Sequence, residues 1–162
     1  MIIPDNMRRR LQITGQERST GMNKTNGFYT LKGYQINTPI ELTPAMEDYL
    51  EMICRITQVN GRVKVSELSK HLHVKPSSVT KMLQQLNRAG YIDTEKYGDI
   101  SLTEKGRETG TYLLYRHDVI HRFLCMLNNS DDELEQVEKI EHFLDQNTVK
   151  NLDLLIERLR QK

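Results

Sequence analysis

Between Val63 and Leu102 the punctuation of the chain leaves few folds open. The spacing over Ser66 to Leu72 predicts a short helix and His73 to Lys75 a turn. Pro76 then opens a second helix that ends before Gly90, since proline suits the first helical position and glycine the residue beyond a C-terminus. Tyr91 to Glu95 and Ile100 to Leu102 flank Lys96-Tyr97-Gly98-Asp99 and predict a β-hairpin. Helix, turn, helix, hairpin is the outline of a winged helix-turn-helix. In its second helix Val79, Met82, Leu83 and Leu86 share an inward face. The opposite face carries Ser77, Thr80, Lys81, Gln84 and Arg88, which can donate to phosphates or base edges. Lys75 and Ser78 beside them, and Lys96 on the hairpin, complete the candidate DNA-contacting set. A merely solvated polar face is the alternative, and the order of the elements favours DNA.

The charge distribution agrees. The net charge is only +1, but residues 61–107 hold nine Lys or Arg against five acids, while 41–60 hold one against four and 108–162 seven against eleven. A basic middle suits phosphates, and acidic flanks suit cations or another function. Residues 1–40 hold six basic residues against two acids, with no sustained periodicity. They read as a mostly disordered N-terminal extension whose Arg8, Arg9 and Arg10 could touch DNA, with a solvated tail the favoured reading. The two cysteines, Cys54 and Cys125, have no zinc spacing and are expected to be reduced core residues of a cytoplasmic protein. No window of 18 apolar residues exists, so neither a membrane span nor a signal peptide is expected.

Outside the hairpin unit the pattern is helical, which makes the expected fold mainly α. Thr43 is a good N-cap with Pro44 behind it, and Met46, Tyr49, Leu50, Ile53 and Thr57 form one face of a first helix. Asp48 and Glu51 lie on the other side, one turn apart. A long helix from Thr103 to about Leu127 follows the wing, broken by Asn128 to Ser130. A further helix is expected over Asp131 to Gln146, with Asn147 as its stop, and a last one over Thr148 to Leu159. Leu152, Leu155, Ile156 and Leu159 form the apolar face of this last helix, which is expected to meet a second subunit. Two polar residues break these patterns. Glu141 falls inside the stripe of Leu134, Val137, Ile140 and Leu144, and His117 shares a face with Leu113, Ile120 and Leu124. A buried carboxylate needs a partner. A shared cation would serve both, and Glu138, His142, Asp48 and Glu51 can complete a six-residue oxygen and nitrogen ligand set.

The stretches Leu42-Thr-Pro-Ala-Met-Glu-Asp-Tyr-Leu-Glu51 and Val74-Lys-Pro-Ser-Ser-Val-Thr-Lys-Met82, with Tyr115-Arg-His117 and Val137-Glu-Lys-Ile-Glu-His142, resemble the manganese transport regulator branch of the diphtheria toxin repressor family. The resemblance runs from Leu42 to the end. It implies a homodimer that binds a double-stranded DNA operator and represses metal-uptake genes when Mn(II) is bound. It also implies a winged helix-turn-helix over 41–107 and an all-α metal-binding and dimerisation domain over 108–162. The family's ligands match at Asp48, Glu51, His117, Glu138, Glu141 and His142. They imply two ions per subunit bridged by carboxylates, with His117 and His142 on different ions and with Fe(II), Zn(II) or Cd(II) as further occupants. Iron-responsive relatives carry Met in place of Asp48 and Cys in place of Glu138, whereas oxygen and imidazole donors suit manganese. Their additional C-terminal domain is not expected in a chain that stops at Lys162.

Without metal, repulsion among four carboxylates is expected to loosen the hinge between the two domains. Two alternatives remain at this point: a winged-helix regulator answering to an organic effector, and a dinuclear metallohydrolase. His71, His73 and His121 read as surface or supporting residues, with His121 one turn beyond His117 and able to orient a ligand.

Overall fold

A computed structural model describes residues 41–94 and 99–161. The N-terminal extension with its arginines, and Lys96 of the candidate DNA-contacting set, lie outside the described residues.

Helix α1 spans Pro44–Asn60. Thr43 Oγ1 accepts the Met46 N–H at 3.3 Å, and Gly61, at φ 71°, closes the other end by donating its N–H to the Thr57 carbonyl at 2.9 Å. A left-handed residue there costs glycine nothing. Next come β1 (Val63–Lys64), α2 (Val65–His71), α3 (Pro76–Arg88), β2 (Ile92–Thr94) and β3 (Asp99–Leu102). The turn between α2 and α3 places His73 at φ 52°, and Ser69 Oγ braces it by donating to the Val74 carbonyl at 2.6 Å. The wing is a three-stranded antiparallel sheet ordered β1-β3-β2, with Ile92 opposite Leu102 and Val63 opposite Ile100. The sequence reading has only the hairpin, because a two-residue strand is too short to show alternation. It also has Asp99 in the turn, whereas Asp99 pairs with Lys64 on β3.

Apolar faces of these elements meet in one core. Leu50 and Ile53 of α1, Leu68 of α2, Val79, Leu83 and Leu86 of α3, and Ile92 and Ile100 of the sheet are all buried there. Helix α4 (Glu104–Asn128) adds Leu113 to this core and runs unbroken through residues 107 and 108. Its start is welded to the wing. Thr103 Oγ1 accepts the Gly106 N–H at 3.0 Å and donates to the Gly90 carbonyl at 2.7 Å. Gly106 is required by contact rather than by conformation, since a Cβ there would lie 1.8 Å from the Tyr91 carbonyl oxygen.

The far half of α4 builds a second, smaller core. Val119 packs with Val149 and Ile156, and Ile120 and Leu124 pack with Val137. Here the structure corrects the expected helix over Asp131 to Gln146. Helix α5 spans only Leu134–Ile140, and a 3-10 turn over Glu141–Phe143 follows it. Helix α6 then runs over Gln146–Arg160, so Asn147 lies in its first turn instead of acting as a stop. Two local causes explain the shift. Asn128 and Ser130 both donate to Glu133 Oε1, at 2.9 and 2.6 Å, which extends the connection after α4 to Glu133. Asp145 then accepts the Thr148 N–H at 2.7 Å, and a capping aspartate with an extended backbone starts a new helix there. Leu134, expected in the buried stripe, is 48% exposed as a result.

Candidate metal centre

Three elements converge beside the seam between the cores. Helix α1 contributes Glu47, Asp48 and Glu51, α4 contributes Arg116 and His117, and α5 with its 3-10 turn contributes Glu138, Glu141 and His142. Glu51 was expected on the outer side of α1, yet it is buried, because α4 packs across that side. Glu141 is 1% exposed, on the turn after α5 rather than inside a longer helix.

The side chains form two groups that share Glu141. In one, Glu51, His117 and Glu141 offer ligand atoms all within 4.8 Å of one another; in the other, Asp48, Glu141 and His142 do so. His117 Nδ1 stands 3.4 Å from Glu141 Oε2 and 3.8 Å from both Glu51 Oε1 and Glu138 Oε1. His142 Nε2 lies 3.0 Å from Asp48 Oδ1 and 4.0 Å from Glu141 Oε1. Glu141 therefore turns one oxygen to each group. Glu138 borders the first group with a half-exposed side chain.

This arrangement fits a cation. Among the described residues, Glu141 Oε2, His117 Nδ1 and Arg116 Nε are buried without a hydrogen-bond partner. Each such group costs about 1–3 kcal/mol, and a metal ion between the oxygen and the imidazole would satisfy the first two. Every donor in both groups is a carboxylate oxygen or an imidazole nitrogen, a set suited to a divalent cation of hard or borderline character.

The electrostatics point the same way. Asp48 and Glu47, both hydrogen-bonded to His142, push its pKa up to about 10 against the opposing effect of burial. Glu141 beside His117 raises that imidazole too. Burial first, and the Glu141 charge second, raise Glu138. Positive groups also stand beside these acids: Arg116 lies 2.8 Å from Glu47 and 3.9 Å from Glu141, and Arg55 pairs with Glu51 at 2.8 Å. These positive groups offset part of the repulsion expected among the four carboxylates.

Sequence reasoning missed Glu47 and Arg116. Arg116 Nη2 donates to Glu47 Oε2 at 2.8 Å, and the same oxygen lies 2.7 Å from His142 Nδ1. A signal existed, because Leu113, Arg116, His117 and Ile120 share one helical stripe and the test applied to Glu141 also singles out Arg116. Among the other histidines, His71 and His73 are exposed. His121 lies near Cys125, Asp132 and Glu133, so the structure does not give it the ligand-orienting contact that its spacing suggested. Cys54 is buried and free, and Cys125 is free and half-buried. On α3 and the turn before it, Lys75, Ser77, Ser78, Thr80, Lys81, Gln84 and Arg88 are all exposed on the side away from the core.

Two family descriptions match this chain: the N-terminal DNA binding domain of the iron dependent repressors over residues 41–100, and their metal binding and dimerisation domain over 103–162. The chain belongs to the iron dependent repressor family. Within it, the HTH-type transcriptional regulator MntR of Oceanobacillus iheyensis is 40% identical over 115 residues, covering 70% of this chain and 78% of its own length. Among solved structures, the manganese regulator SloR superposes with a TM-score of 0.63 at 25% identity over 72% of this chain. ScaR with bound Zn2+ gives 0.59 at 25% identity over 69%. This chain spans about half the length of either solved regulator, 55% and 53%. Membership in a repressor family makes DNA and a second copy of the chain its partners and removes the metallohydrolase alternative: the protein is not an enzyme. Among the described residues, no helix is long and apolar enough to cross a membrane.

Proposed function

We propose that this protein is a manganese-responsive, DNA-binding transcriptional regulator that represses metal-uptake genes in the cytoplasm as a homodimer, with two Mn(II) per subunit as corepressor. The observation that carries the reading is the buried Glu141, whose two oxygens face two different histidine-carboxylate groups. We assign Asp48, Glu141 and His142 to one ion and Glu51, His117, Glu138 and Glu141 to the other, with Glu141 as the bridge. Residues 41–107 serve as the DNA-binding domain and 108–162 as the metal-binding and dimerisation domain. The MntR and SloR names of the relatives support manganese, as does a donor set without sulfur. An organic effector finds less support, because it leaves Glu141 Oε2 and His117 Nδ1 buried and unpaired among the described residues.

The ion, when bound, supplies positive charge that neutralises the converging carboxylates. The chain does the rest. Asp48 and Glu51 ride on α1, and α1 packs through Leu50 and Ile53 into the same core as Val79, Leu83 and Leu86 of the recognition helix α3. Holding α1 against His117 and the Glu141–Phe143 turn therefore fixes α3 relative to the dimerisation helices. Leu127 of α4 and Leu155 and Leu159 of α6 are exposed apolar side chains that suit contact with a second subunit. In such a dimer the fixed angle would set two recognition helices about 34 Å apart or at a multiple of that distance. Binding can shift this equilibrium only by the difference in affinity for the two arrangements.

The test is selection from a random duplex pool, with equilibrium dialysis of Mn2+ alongside. A manganese-dependent, two-fold symmetric sequence and two ions per subunit are expected. Enrichment of the same sequence in chelator would contradict the reading. On the selected duplex, Lys81→Ala should weaken all sequences and reduce the salt slope by about one, as expected for a phosphate contact. Gln84→Ala should instead relax preference at one position per half-site and cost about 1–3 kcal/mol there. A uniform loss from both variants would refute the assignment of Gln84 to base reading.

Manganese uptake should also release protons. The His142 pKa of about 10 means that the ring is charged at pH 7, and Nε2 must lose its proton before it can act as a ligand. Apparent affinity should then rise by about tenfold per pH unit for each proton displaced, and calorimetry in buffers of different ionisation enthalpy would count the protons. The metal-free protein should show the reverse trend. A folded-state pKa raised above the ordinary value of 6.5 gives stability that is complete below 6.5 and lost as pH rises through about 10. Melting in chelator across that window checks the sign.

A further inference from the structure

Glu47 and Arg116 lie outside both ligand groups, yet they are fitted to one of them. Arg116 is 4% exposed and Nη2 spends its hydrogen bond on Glu47 Oε2 at 2.8 Å. His142 Nδ1 is 2.7 Å from that oxygen and 3.3 Å from Arg116 Nη2. These distances decide where the ring proton sits. A contact of 2.7 Å between a ring nitrogen and a carboxylate oxygen requires a proton on the nitrogen, whereas an unprotonated Nδ1 would set two acceptors against each other. The 3.3 Å approach of Arg116 is then that of two donors sharing one acceptor. The opposite ring nitrogen, Nε2, is the one that faces Asp48 and Glu141.

We infer that Glu47 and Arg116 position His142 for metal binding: Glu47 holds the Nδ1 proton and so commits Nε2 to the ligand side, while Arg116 locks Glu47 in the orientation that does this. The inference rests on the metal reading above. Each link is short and comes from a different element, with Glu47 on α1, Arg116 on α4 and His142 on the 3-10 turn. A charged acceptor suits the task, because ring tautomer and orientation are set by the hydrogen bond that the non-ligating nitrogen makes. The two groups differ in this respect. Among the described residues no carboxylate accepts a hydrogen bond from His117, whose Nδ1 points at the ligand oxygens without a partner. Glu47 and Arg116 are therefore positioning residues for one ion and not for the other.

That asymmetry is the test. In Mn2+ titrations, Glu47→Ala should weaken the ion at Asp48, Glu141 and His142 by about 10- to 100-fold and leave the other within about threefold. Glu47→Gln retains a neutral acceptor and should fall between wild type and Glu47→Ala; if the alanine variant does not fold, the glutamine variant carries the test. Protein loaded with cadmium-113 and labelled with nitrogen-15 histidine gives a readout independent of DNA. Wild type should show cadmium coupling to His142 Nε2 with an exchange-protected Nδ1 proton, and Glu47→Ala should lose this signature while keeping the His117 coupling. Equal weakening of both ions would mean a general structural role and would overturn the inference, as would unchanged affinity with the coupling intact. If wild type itself takes up no ion, the metal reading fails and the inference falls with it.

Discussion

Glu141→Ala is expected to abolish high-affinity binding of both manganese ions and to leave DNA binding the same in manganese and in chelator. The effect exceeds that of any other ligand substitution because, among the described residues, Glu141 alone turns an oxygen to both histidines, with Oε2 3.4 Å from His117 Nδ1 and Oε1 4.0 Å from His142 Nε2. Removing Asp48 or Glu51 strips one donor from one group, whereas removing Glu141 opens both and takes away the charge that faces Arg116 at 3.9 Å. If metal binding is coupled to operator binding by the roughly 5- to 150-fold common for linked sites, the variant should forfeit that whole factor. Anisotropy on a symmetric operator duplex and an Mn2+ titration measure the two losses separately. A variant that still binds one ion at wild-type affinity would remove Glu141 from the bridging position.

Gly106→Ala should be among the most damaging substitutions outside the metal centre. Alanine normally stabilises a helix by about 1 kcal/mol over glycine. Here the added methyl would lie 1.8 Å from the Tyr91 carbonyl oxygen and 2.8 Å from its carbon, and backbone cannot step aside as a side chain can. Overpacking of this kind costs about 3 kcal/mol, which outweighs the helix gain by about 2 kcal/mol and should lower the melting temperature by about 4–8 °C. Gly110→Ala should be milder, since its new atom would stand 2.8 Å from Cys54 Cβ, a full ångström farther than the clash at Gly106. Thermal melts of the two variants give the ranking, and a Gly106→Ala protein that melts with wild type would show that α4 can back away from the wing.

What the sequence disclosed and what it withheld divide along the range of the interactions. The winged helix-turn-helix was legible because proline, glycine and apolar spacing are local signals, and Val79, Leu83 and Leu86 are indeed buried. Glu141 and His117 were legible as polar residues on apolar stripes, and both are buried. The break between α5 and α6 was not, because it depends on the competition between Asp145 and the surrounding helix pattern, which side-chain capping decides. Strand β1 was hidden because its pairing with β3 spans 37 residues and involves only two positions. The burial of Glu51 depends on how α4 crosses α1, a tertiary fact without a local signature. Arg116 was in plain view on the stripe that drew attention to His117, but its partner, Glu47, is 69 residues away. No spacing rule reaches that far.

The central claim is that manganese holds α1 against α4 and the Glu141–Phe143 turn and so makes the dimer competent for its operator. Anisotropy of a labelled, selected operator duplex, titrated with protein at fixed salt in chelator and then in Mn2+, tests it most directly. The account predicts operator affinity up to about 100-fold tighter in manganese, with the gain absent on a scrambled duplex. Equal affinity for the operator with and without manganese would contradict it.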